Sequence, residues 1–309
     1  MAKPRIILDC DPGHDDALAL LVAAQHCDVL GVTTVSGNVP LHLTTHNALI
    51  TAQILGLDVP VHAGAKRPLV APAKHAEFIH GETGLGGPEL PPLEREAKSQ
   101  DAVRFIIDTA RAETDLWLVA TGPLTNVALA LRSAPDLAER LKGISLMGGS
   151  ATFGNVTPVA EFNIWADPEA AEVVFGCGAP ILMSGLNVTH QFMIRPEDVA
   201  EIRATGGDAA TFSADMLEFY CRAYAEKFYG RPEGPLHDPC AVLAVTHPEL
   251  FEFGARHVGV ETQGQRTRGM TVVDERGVKE VAKSNAQVAY KIDREKALEV
   301  FLEAIRAYS

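Results

Sequence analysis

The sequence predicts one α/β domain built on a mainly parallel, open sheet with helices on both faces, extended by C-terminal helices and short antiparallel strands. Three observations lead to this prediction. Short apolar, β-branched runs alternate with helical patterns up to Arg195. Small or polar residues follow several of these runs, where parallel strands would end. No change of composition marks a linker, so residues 1–309 are assigned to a single domain.

The strands and helices of the alternating part follow from hydrophobic pattern and from breaking residues. Asp167 and Pro168 open one helix as its N-cap and first residue. Residues 64–92, rich in Gly, Pro and His, interrupt the alternation, and loops of this length are usually functional or mobile. The predicted strands are 5–8, 29–35, 60–63, 116–120, 143–147 and 181–184, and the predicted helices are 15–27, 41–55, 124–131 and 169–175.

In the C-terminal part of the chain, strand and helix patterns alternate less regularly. Residues 209–229 predict one long helix, whose aromatic residues recur at spacings near three and four, as on a buried face. A helix at 240–245 and a last helix capped by Asp293 complete the helical elements. Residues 257–260, 271–274 and 278–282 are predicted as antiparallel strands, with a hairpin turn at 275–277.

Composition limits the class of protein and its partners. The chain is 47% hydrophobic and 22% charged, as in ordinary globular proteins, and its formal net charge is −13. This charge argues against nucleic acid or an anionic membrane as a partner and favours a metal ion or a neutral or cationic small molecule. Five cysteines without a CxxC pair indicate reduced core residues. With no targeting segment or spanning apolar run, we expect a cytoplasmic protein.

Four aspartates crowd the turn after the first strand: Asp9, Asp11, Asp15 and Asp16. Ionised neighbours raise one another's pKa, and a helix N-terminus offsets less than about 1 kcal/mol per group. A bound divalent cation with oxygen ligands, Ca²⁺ or Mg²⁺, therefore explains four acids in eight positions better than helix capping alone. Because parallel strands end at one sheet edge, later strand ends should bring Asn38, Thr125 and Met147 close to this turn.

Motifs along nearly the whole chain resemble those of the nucleoside hydrolase family, the inosine-uridine preferring and related types. The first is Asp9-x-Asp11-Pro12-Gly13-x-Asp15-Asp16-Ala17. Eight more follow in the family's order: Ser36-Gly37-Asn38, Ile79-His80-Gly81-Glu82-x-Gly84, Gly122-Pro123-Leu124-Thr125-Asn126, Met147-Gly148-Gly149, Gly154-Asn155, Ala160-Glu161-Phe162-Asn163, Asp167-Pro168-Glu169-Ala170-Ala171 and His237-Asp238. The resemblance implies a Ca²⁺-dependent ribonucleoside hydrolase that releases free base and ribose, commonly as a homodimer or homotetramer.

The resemblance also implies roles for individual residues. Asp11, Asp15 and Asp238 resemble side-chain ligands of Ca²⁺, and Thr125 resembles a ligand through its main-chain carbonyl. Asp16 would bind a ribose hydroxyl or support the metal shell. The residues that resemble the ribose site are Asn38, Met147, Asn155, Glu161 and Asn163.

The residue types fit N-glycosidic cleavage, which passes through an oxocarbenium-like ribosyl state. A metal would lower the pKa of the attacking water, and Asp11 is the candidate base for its proton. His237 is the candidate donor to the departing base, and His80 is a second candidate near it. Asp238 before Pro239 equally fits a helix start, and both histidines equally fit loop positions without a ligand. No role is assigned to His14.

Two other functions stay open at this point. One is a non-catalytic, calcium-stabilised nucleoside or ribose binder on the same scaffold. The other is a Mg²⁺ phosphotransferase with an Asp nucleophile, a class that usually has Thr or Val where Gly13 stands.

The histidine pair suggests a base preference, because His80 with His237 resembles family members that act on pyrimidine or on both base classes. The purine-specific branch tends to stack the base between tryptophans, whereas this chain has two, Trp117 in a predicted buried strand and Trp165 beside Asn163. We therefore expect pyrimidine or broad specificity (uridine, cytidine, inosine). The candidate walls of the base pocket are Phe162, Tyr220, Tyr224 and Tyr229.

Overall fold

The computed structural model describes residues 3–276 and 283–309, and its centre is an eight-stranded sheet. The strand order is β3-β2-β1-β4-β5-β6-β12-β9, in which β9 pairs antiparallel with β12 and the other pairs are parallel. Two small antiparallel pairs, β7–β8 and β10–β11, lie outside it. The strands are β1 Arg5–Cys10, β2 Asp28–Thr34, β3 Val61–Ala63, β4 Leu116–Ala120, β5 Gly143–Met147, β6 Ile181–Ser184, β7 Met193–Ile194, β8 Gly234–Pro235, β9 Phe251–Arg256, β10 Val258–Val260, β11 Thr271–Val273 and β12 Ala286–Ile292.

Helices cover both faces of this sheet, as predicted. The described part contains α1 His14–His26, α2 Leu41–Ile54, α3 Glu77–His80, α4 Ala102–Ala112, α5 Thr125–Ser133, α6 Leu137–Arg140, α7 Phe162–Ala166, α8 Pro168–Phe175, α9 Leu186–Thr189, α10 Pro196–Thr205, α11 Gly207–Tyr224, α12 Pro239–Thr246 and α13 Arg294–Ala307. A π-helical turn, Ala225–Tyr229, extends α11, and a 3₁₀ turn spans Pro248–Leu250. None of these helices combines the length and apolarity needed to cross a membrane.

The alternation of side chains along β1 shows how the sheet divides the core. Ile6 and Leu8 belong to the hydrophobic cluster that contains α1, α12 and α13, whereas Ile7 belongs to the cluster on the other face with α4, α5 and α8. Successive residues of a strand point to opposite faces, and all three are completely buried. The continuous apolar run of β1 is therefore that of a strand covered on both sides.

The predicted strands of the alternating part are present, and β10 and β11 pair antiparallel as expected. Several features were missed, among them the ten-residue helix α10. The amphipathic helix α4 was left unassigned within residues 92–116. Strands β9 and β12, which extend the central sheet, were not predicted. The predicted helix 209–229 changes to π-helical geometry after Tyr224. The predicted strand 278–282 and Gly277 of its hairpin turn lie outside the described residues.

Candidate active site

The acidic turn joins the carboxyl end of β1 to the start of α1, and Asp238 reaches it from the residue before α12. All four candidate acids, Asp11, Asp15, Asp16 and Asp238, are at most 5% exposed. One carboxylate oxygen each from Asp15, Asp16 and Asp238 lies within 4.8 Å of the other two. Residues separated by more than 200 positions therefore meet at one sheet edge, as the strand-end argument requires.

Asp16 is held by a set of hydrogen-bond donors. Its Oδ1 accepts from the Thr121 hydroxyl at 2.8 Å and from the Asp11 amide at 3.2 Å. Its Oδ2 accepts from the Gly13 amide at 3.1 Å and from the Asn38 side-chain amide at 3.2 Å. These bonds fix the carboxylate within the acid group, so Asp16 is placed with the candidate metal ligands.

Asp11 is less completely satisfied than Asp16. Its Oδ2 accepts a hydrogen bond from the backbone amide of Asn38 at 2.6 Å. Its Oδ1 is buried without a hydrogen-bond partner among the described residues. A Cβ added at Gly37 would lie 2.0 Å from Asp11 Oδ2, and one at Gly122 would lie 2.4 Å from Oδ1. Glycine at these two strand ends is what lets the loops close around the carboxylate.

The electrostatics of the acid group favour a cation. Burial raises the pKa values of Asp11, Asp15 and Asp238 well above their ordinary range, and the neighbouring carboxylates raise them further. A donor set made only of oxygen, with an unpartnered Asp11 Oδ1, fits a hard divalent ion such as Ca²⁺ or Mg²⁺ and not a thiolate-preferring metal. The residues present thus fit the predicted metal.

Two residues of the predicted metal region point elsewhere. The Thr125 hydroxyl donates to Asp167 Oδ2 at 2.6 Å, so its side chain faces the N-cap of α8. This leaves the main-chain carbonyl as the ligand that the resemblance implies for Thr125. Asp9 Oδ1 accepts from Thr33 Oγ1 at 2.5 Å and Asn126 Nδ2 at 2.8 Å, and Asp9 does not line the cavity. Asp9 therefore links β1 to β2 and α5 by hydrogen bonds.

Four of the five predicted ribose residues, Met147, Asn155, Glu161 and Asn163, lie around the start of α7, whereas Asn38 bonds to Asp11 and Asp16. Glu161 caps this helix: its Oε1 accepts the Asn163 amide at 2.8 Å, and its Oε2 accepts the Gly149 amide at 2.8 Å. Burial raises the pKa of Glu161 to about 7. The Asn163 side-chain amide donates to the carbonyls of Thr121, at 2.7 Å, and Met147, at 3.1 Å. These bonds occupy the donor end of Asn163 and leave its Oδ1 for a ligand.

His237 lines the same cavity and lies between two hydroxyl groups. Its Nε2 lies 3.0 Å from the Tyr224 hydroxyl, and its Nδ1 lies 2.7 Å from Thr189 Oγ1. Burial lowers the pKa of His237 well below its ordinary range, and the neighbouring His190 lowers it further. His237 is therefore a neutral ring that exchanges hydrogen bonds with Tyr224 and Thr189.

His80, at the end of α3, is a cavity residue with a partner that the sequence did not suggest. Its Nδ1 lies 3.0 Å from Nδ1 of His14, and the two rings stack with centroids 5.3 Å apart. His14 is completely buried, which lowers its pKa to about 4. Burial also lowers the pKa of His80 well below its usual value.

One cavity unites these groups. Among the predicted site residues, those that line it are Asp15, Asn38, His80, Met147, Asn155, Glu161, Phe162, Asn163, His237 and Asp238, together with the wall candidates Tyr220 and Tyr224. Asp11, Asp16 and Thr125 lie behind this lining. The side chain of Tyr229 is not among those described. The prediction missed Ala76, Ile79, Thr121, Val156 and Phe228. Thr121 could have been found, because it follows β4 directly.

The chain resembles known proteins over nearly its full length. Residues 6–299 match the family described as inosine-uridine preferring nucleoside hydrolase. The pyrimidine-specific ribonucleoside hydrolase RihA of Shewanella woodyi is 44% identical, and its counterpart from Citrobacter koseri is 43% identical, each alignment covering 100% of both chains. The solved purine-preferring ribonucleoside hydrolase from Gardnerella vaginalis is 35% identical and superposes with a TM-score of 0.92 over 98% of both chains. The plant nucleoside hydrolase PpNRh1 is 32% identical, with a TM-score of 0.91 over 98% of this chain and 99% of that one.

Proposed function

We propose that this chain, which belongs to the inosine-uridine preferring nucleoside hydrolase family and is a ribonucleoside hydrolase, requires calcium and prefers pyrimidine nucleosides. The observation that carries the calcium requirement is Asp11 Oδ1, a buried carboxylate oxygen without a described partner beside three further buried carboxylates. We assign Asp11, Asp15 and Asp238 as ligands, with the Thr125 carbonyl, and Asp16 as a member of the same group. Bound calcium would lower the pKa of a water and neutralise these acids.

The chain's own residues account for the handling of ribose and of the attacking water. Asp11 is the proposed base, as the resemblance implies: its buried carboxylate, behind the Asp15 and Asp238 side chains that line the cavity, would accept the proton of a water held at this acid group. The amide nitrogen of Asn163 donates to two carbonyls, and its Oδ1, which accepts none of the hydrogen bonds found among the described residues, would accept one from a ribose hydroxyl. Glu161, Asn38 and Asn155 line the same cavity. Fixed polar groups of this kind orient a sugar without reorganising during the reaction.

The departing base needs a proton or a hydrogen bond, and His237 with Tyr224 can supply it. Both residues line the cavity and lie 3.0 Å apart at Nε2 and the hydroxyl. A neutral imidazole is a weak acid, so we assign the two as a shared donor that hydrogen-bonds to the base as charge develops on it. Thr189 holds Nδ1 of His237 from behind.

The pyrimidine preference rests on the walls and on the relatives. The cavity is lined by Phe162, Tyr220, Tyr224 and Phe228, and no tryptophan is among its described lining residues. Two relatives above 40% identity are named as pyrimidine-specific, whereas the purine-preferring structure is 35% identical. The non-catalytic alternative is not favoured, because each acid, amide and imidazole assigned to chemistry is present in the cavity or directly behind it.

A substrate panel with metal analysis tests the proposal. The purified protein is assayed with uridine, cytidine and inosine by reducing-sugar release, with calcium or with a chelator. We expect kcat/KM for a pyrimidine nucleoside to exceed that for inosine by at least about tenfold, a difference of about 1.4 kcal/mol. Equal values contradict the base preference, and full activity in the chelator with no bound metal contradicts the calcium requirement. Light scattering on the same preparation tests the expected homodimer or homotetramer.

A further inference from the structure

His14 has no part in the chemistry described above, yet it packs directly against His80, which lines the cavity. Its Nε2 is 2.7 Å from the Gly86 carbonyl oxygen, and its Nδ1 is 3.0 Å from His80 Nδ1. Its ring lies 5.3 Å, centroid to centroid, from both His80 and Phe219. Both nitrogens of His14 are thus committed to groups of this chain, and none is left for substrate.

The donors and acceptors along this row can be assigned by counting protons. A carbonyl oxygen only accepts, so Nε2 of His14 must carry a proton. A neutral imidazole carries one N–H, which leaves Nδ1 of His14 as a bare lone pair. The proton in the 3.0 Å contact then belongs to Nδ1 of His80. Nε2 of His80 is consequently unprotonated.

The surroundings of His14 favour the neutral ring that this count requires. The ring is completely buried, and its described hydrogen-bond partners are a carbonyl oxygen and another imidazole, neither of which is an anion. A buried imidazolium without a paired carboxylate is unfavourable.

Close packing fixes which edge of His80 faces the cavity. A Cβ at Gly13 would lie 2.5 Å from His80 Nδ1, so only glycine in the acidic turn lets this edge approach the start of α1. A Cβ at Gly86 would lie 2.6 Å from the Phe219 ring, so the loop carrying the carbonyl is equally tight. His80 lines the cavity, and none of the hydrogen bonds among the described residues uses its Nε2. The free nitrogen is therefore the one available to a ligand.

We propose that His14 is a positioning residue for base recognition, an inference that rests on the proposed nucleoside hydrolase function. It holds His80 as the Nδ1–H tautomer, so that His80 Nε2 accepts a hydrogen bond from an N–H group of the nucleobase. The imide of uracil and the amino group of cytosine are donors of this class. A base that offers only acceptors to this wall would face the Nε2 lone pair and bind more weakly.

A competing contact makes the tautomer dependent on the His14 side chain. The backbone N–H of His14 also donates to His80 Nδ1, at 3.3 Å compared with 3.0 Å for the two ring nitrogens, and this bond favours the opposite tautomer, in which Nδ1 accepts and Nε2 carries the proton. This amide remains in every variant at position 14. Removing the imidazole nitrogens while keeping a ring, as in His14→Phe, should therefore reverse the tautomer of His80.

Histidine-selective ¹⁵N NMR of the full-length, calcium-loaded protein tests the assignment without substrate. His80 is identified by its loss in His80→Gln. We expect the Nδ1–H tautomer in the wild type and the Nε2–H tautomer in His14→Phe. The Nε2–H tautomer in the wild-type protein overturns the proposal, even if the variant does not fold.

A matched control separates hydrogen bonding from packing. Phe219→Leu removes the other ring that stacks on His14 but leaves both of its nitrogens, so His80 should stay Nδ1-protonated. A reversal in Phe219→Leu as large as in His14→Phe would assign the effect to packing and overturn the proposal.

Kinetics test the recognition step separately. In His14→Phe we expect KM for uridine or cytidine to rise about tenfold, with kcat within about twofold. If the tautomer reverses while KM for uridine and KM for cytidine both stay unchanged, base recognition through His80 Nε2 is wrong. If no nucleoside is turned over by the wild type, the proposed function fails, while the NMR result still decides the tautomer.

Discussion

The two sides of the cavity respond to burial in opposite ways. On the acid side (Asp11, Asp15, Asp16 and Asp238) burial raises the carboxyl pKa values, and on the base side (His14, His80, His237 and Tyr224) it lowers the imidazole pKa values. The imidazoles become neutral and find hydrogen-bond partners within the chain: His14 pairs with His80, and His237 lies between the hydroxyl groups of Tyr224 and Thr189. The carboxylates cannot pair with one another, because they offer only acceptors when ionised. The proposed calcium would therefore supply the acid side with positive charge from outside the chain, whereas the base side draws its hydrogen bonds from the chain itself and leaves His80 Nε2 for a ligand.

The largest effect should follow from removing one carboxylate of the acid side. Asp11→Asn should lower kcat by at least about 10³-fold, because it removes the proposed base and a metal ligand together. The same change removes a buried charge, so the calcium-free variant should melt no lower than the calcium-free wild type. Activity assays, metal analysis and thermal melts measure these quantities. Asp28→Asn, at a half-exposed site, is the control, and near-normal turnover in Asp11→Asn would remove Asp11 from the mechanism.

Removing calcium should expose the difference between the two sides as a pH dependence of stability. A group whose folded-state pKa is raised stabilises the fold below its unfolded-state pKa, and this contribution is lost as pH rises through the folded-state value. Glu161, with a pKa raised to about 7, and the raised acids of the acid side are such groups. The free energy of unfolding of the calcium-free protein should fall from pH 4.5, the ordinary pKa of a Glu, to about pH 8, the raised pKa of Asp15, and saturating calcium should reduce the part of the fall that comes from the acid side. A flat profile without calcium in urea titrations contradicts this account.

The comparison also explains how far the sequence could lead. Asp11, Asp15 and Asp16 lie within one turn, and strand ends predict what they meet, so most of the acid side was foreseen. The base side depends on His14, on a four-residue helix within a long loop, and on one face of α11. Nothing local in the sequence indicates that Gly13 and Gly86 bring these rings together. The pairing of β12 with β6 is equally non-local, because some 100 residues separate the two strands.

The proposed hydrogen-bond donation from His237 and Tyr224 to the leaving group can be tested by comparing two substrates. Tyr224→Phe and His237→Ala should each lower kcat for uridine by about 10–10²-fold, since the departing base loses a hydrogen-bond donor. Cleavage of p-nitrophenyl riboside, whose leaving group is stable as an anion, should change by less than about threefold. Equal losses with both substrates would assign these residues to ribose binding or to folding.

The smallest effect is expected where the base side meets solvent. Phe228 lines the cavity, its ring lies 5.3 Å from Tyr224, and the residue is 48% exposed. Because half of its surface is already in water, Phe228→Ala should raise KM for uridine only about two- to fivefold and leave kcat unchanged. Val70→Ala, at a site that is 70% exposed and does not line the cavity, is the control and should change neither constant. A fall in kcat beyond about tenfold in Phe228→Ala, with Val70→Ala unaffected, would mean that the Phe228 ring must cover the cavity before the residues of the base side can assist the reaction. The contrast between a self-sufficient base side and a dependent acid side would then be wrong.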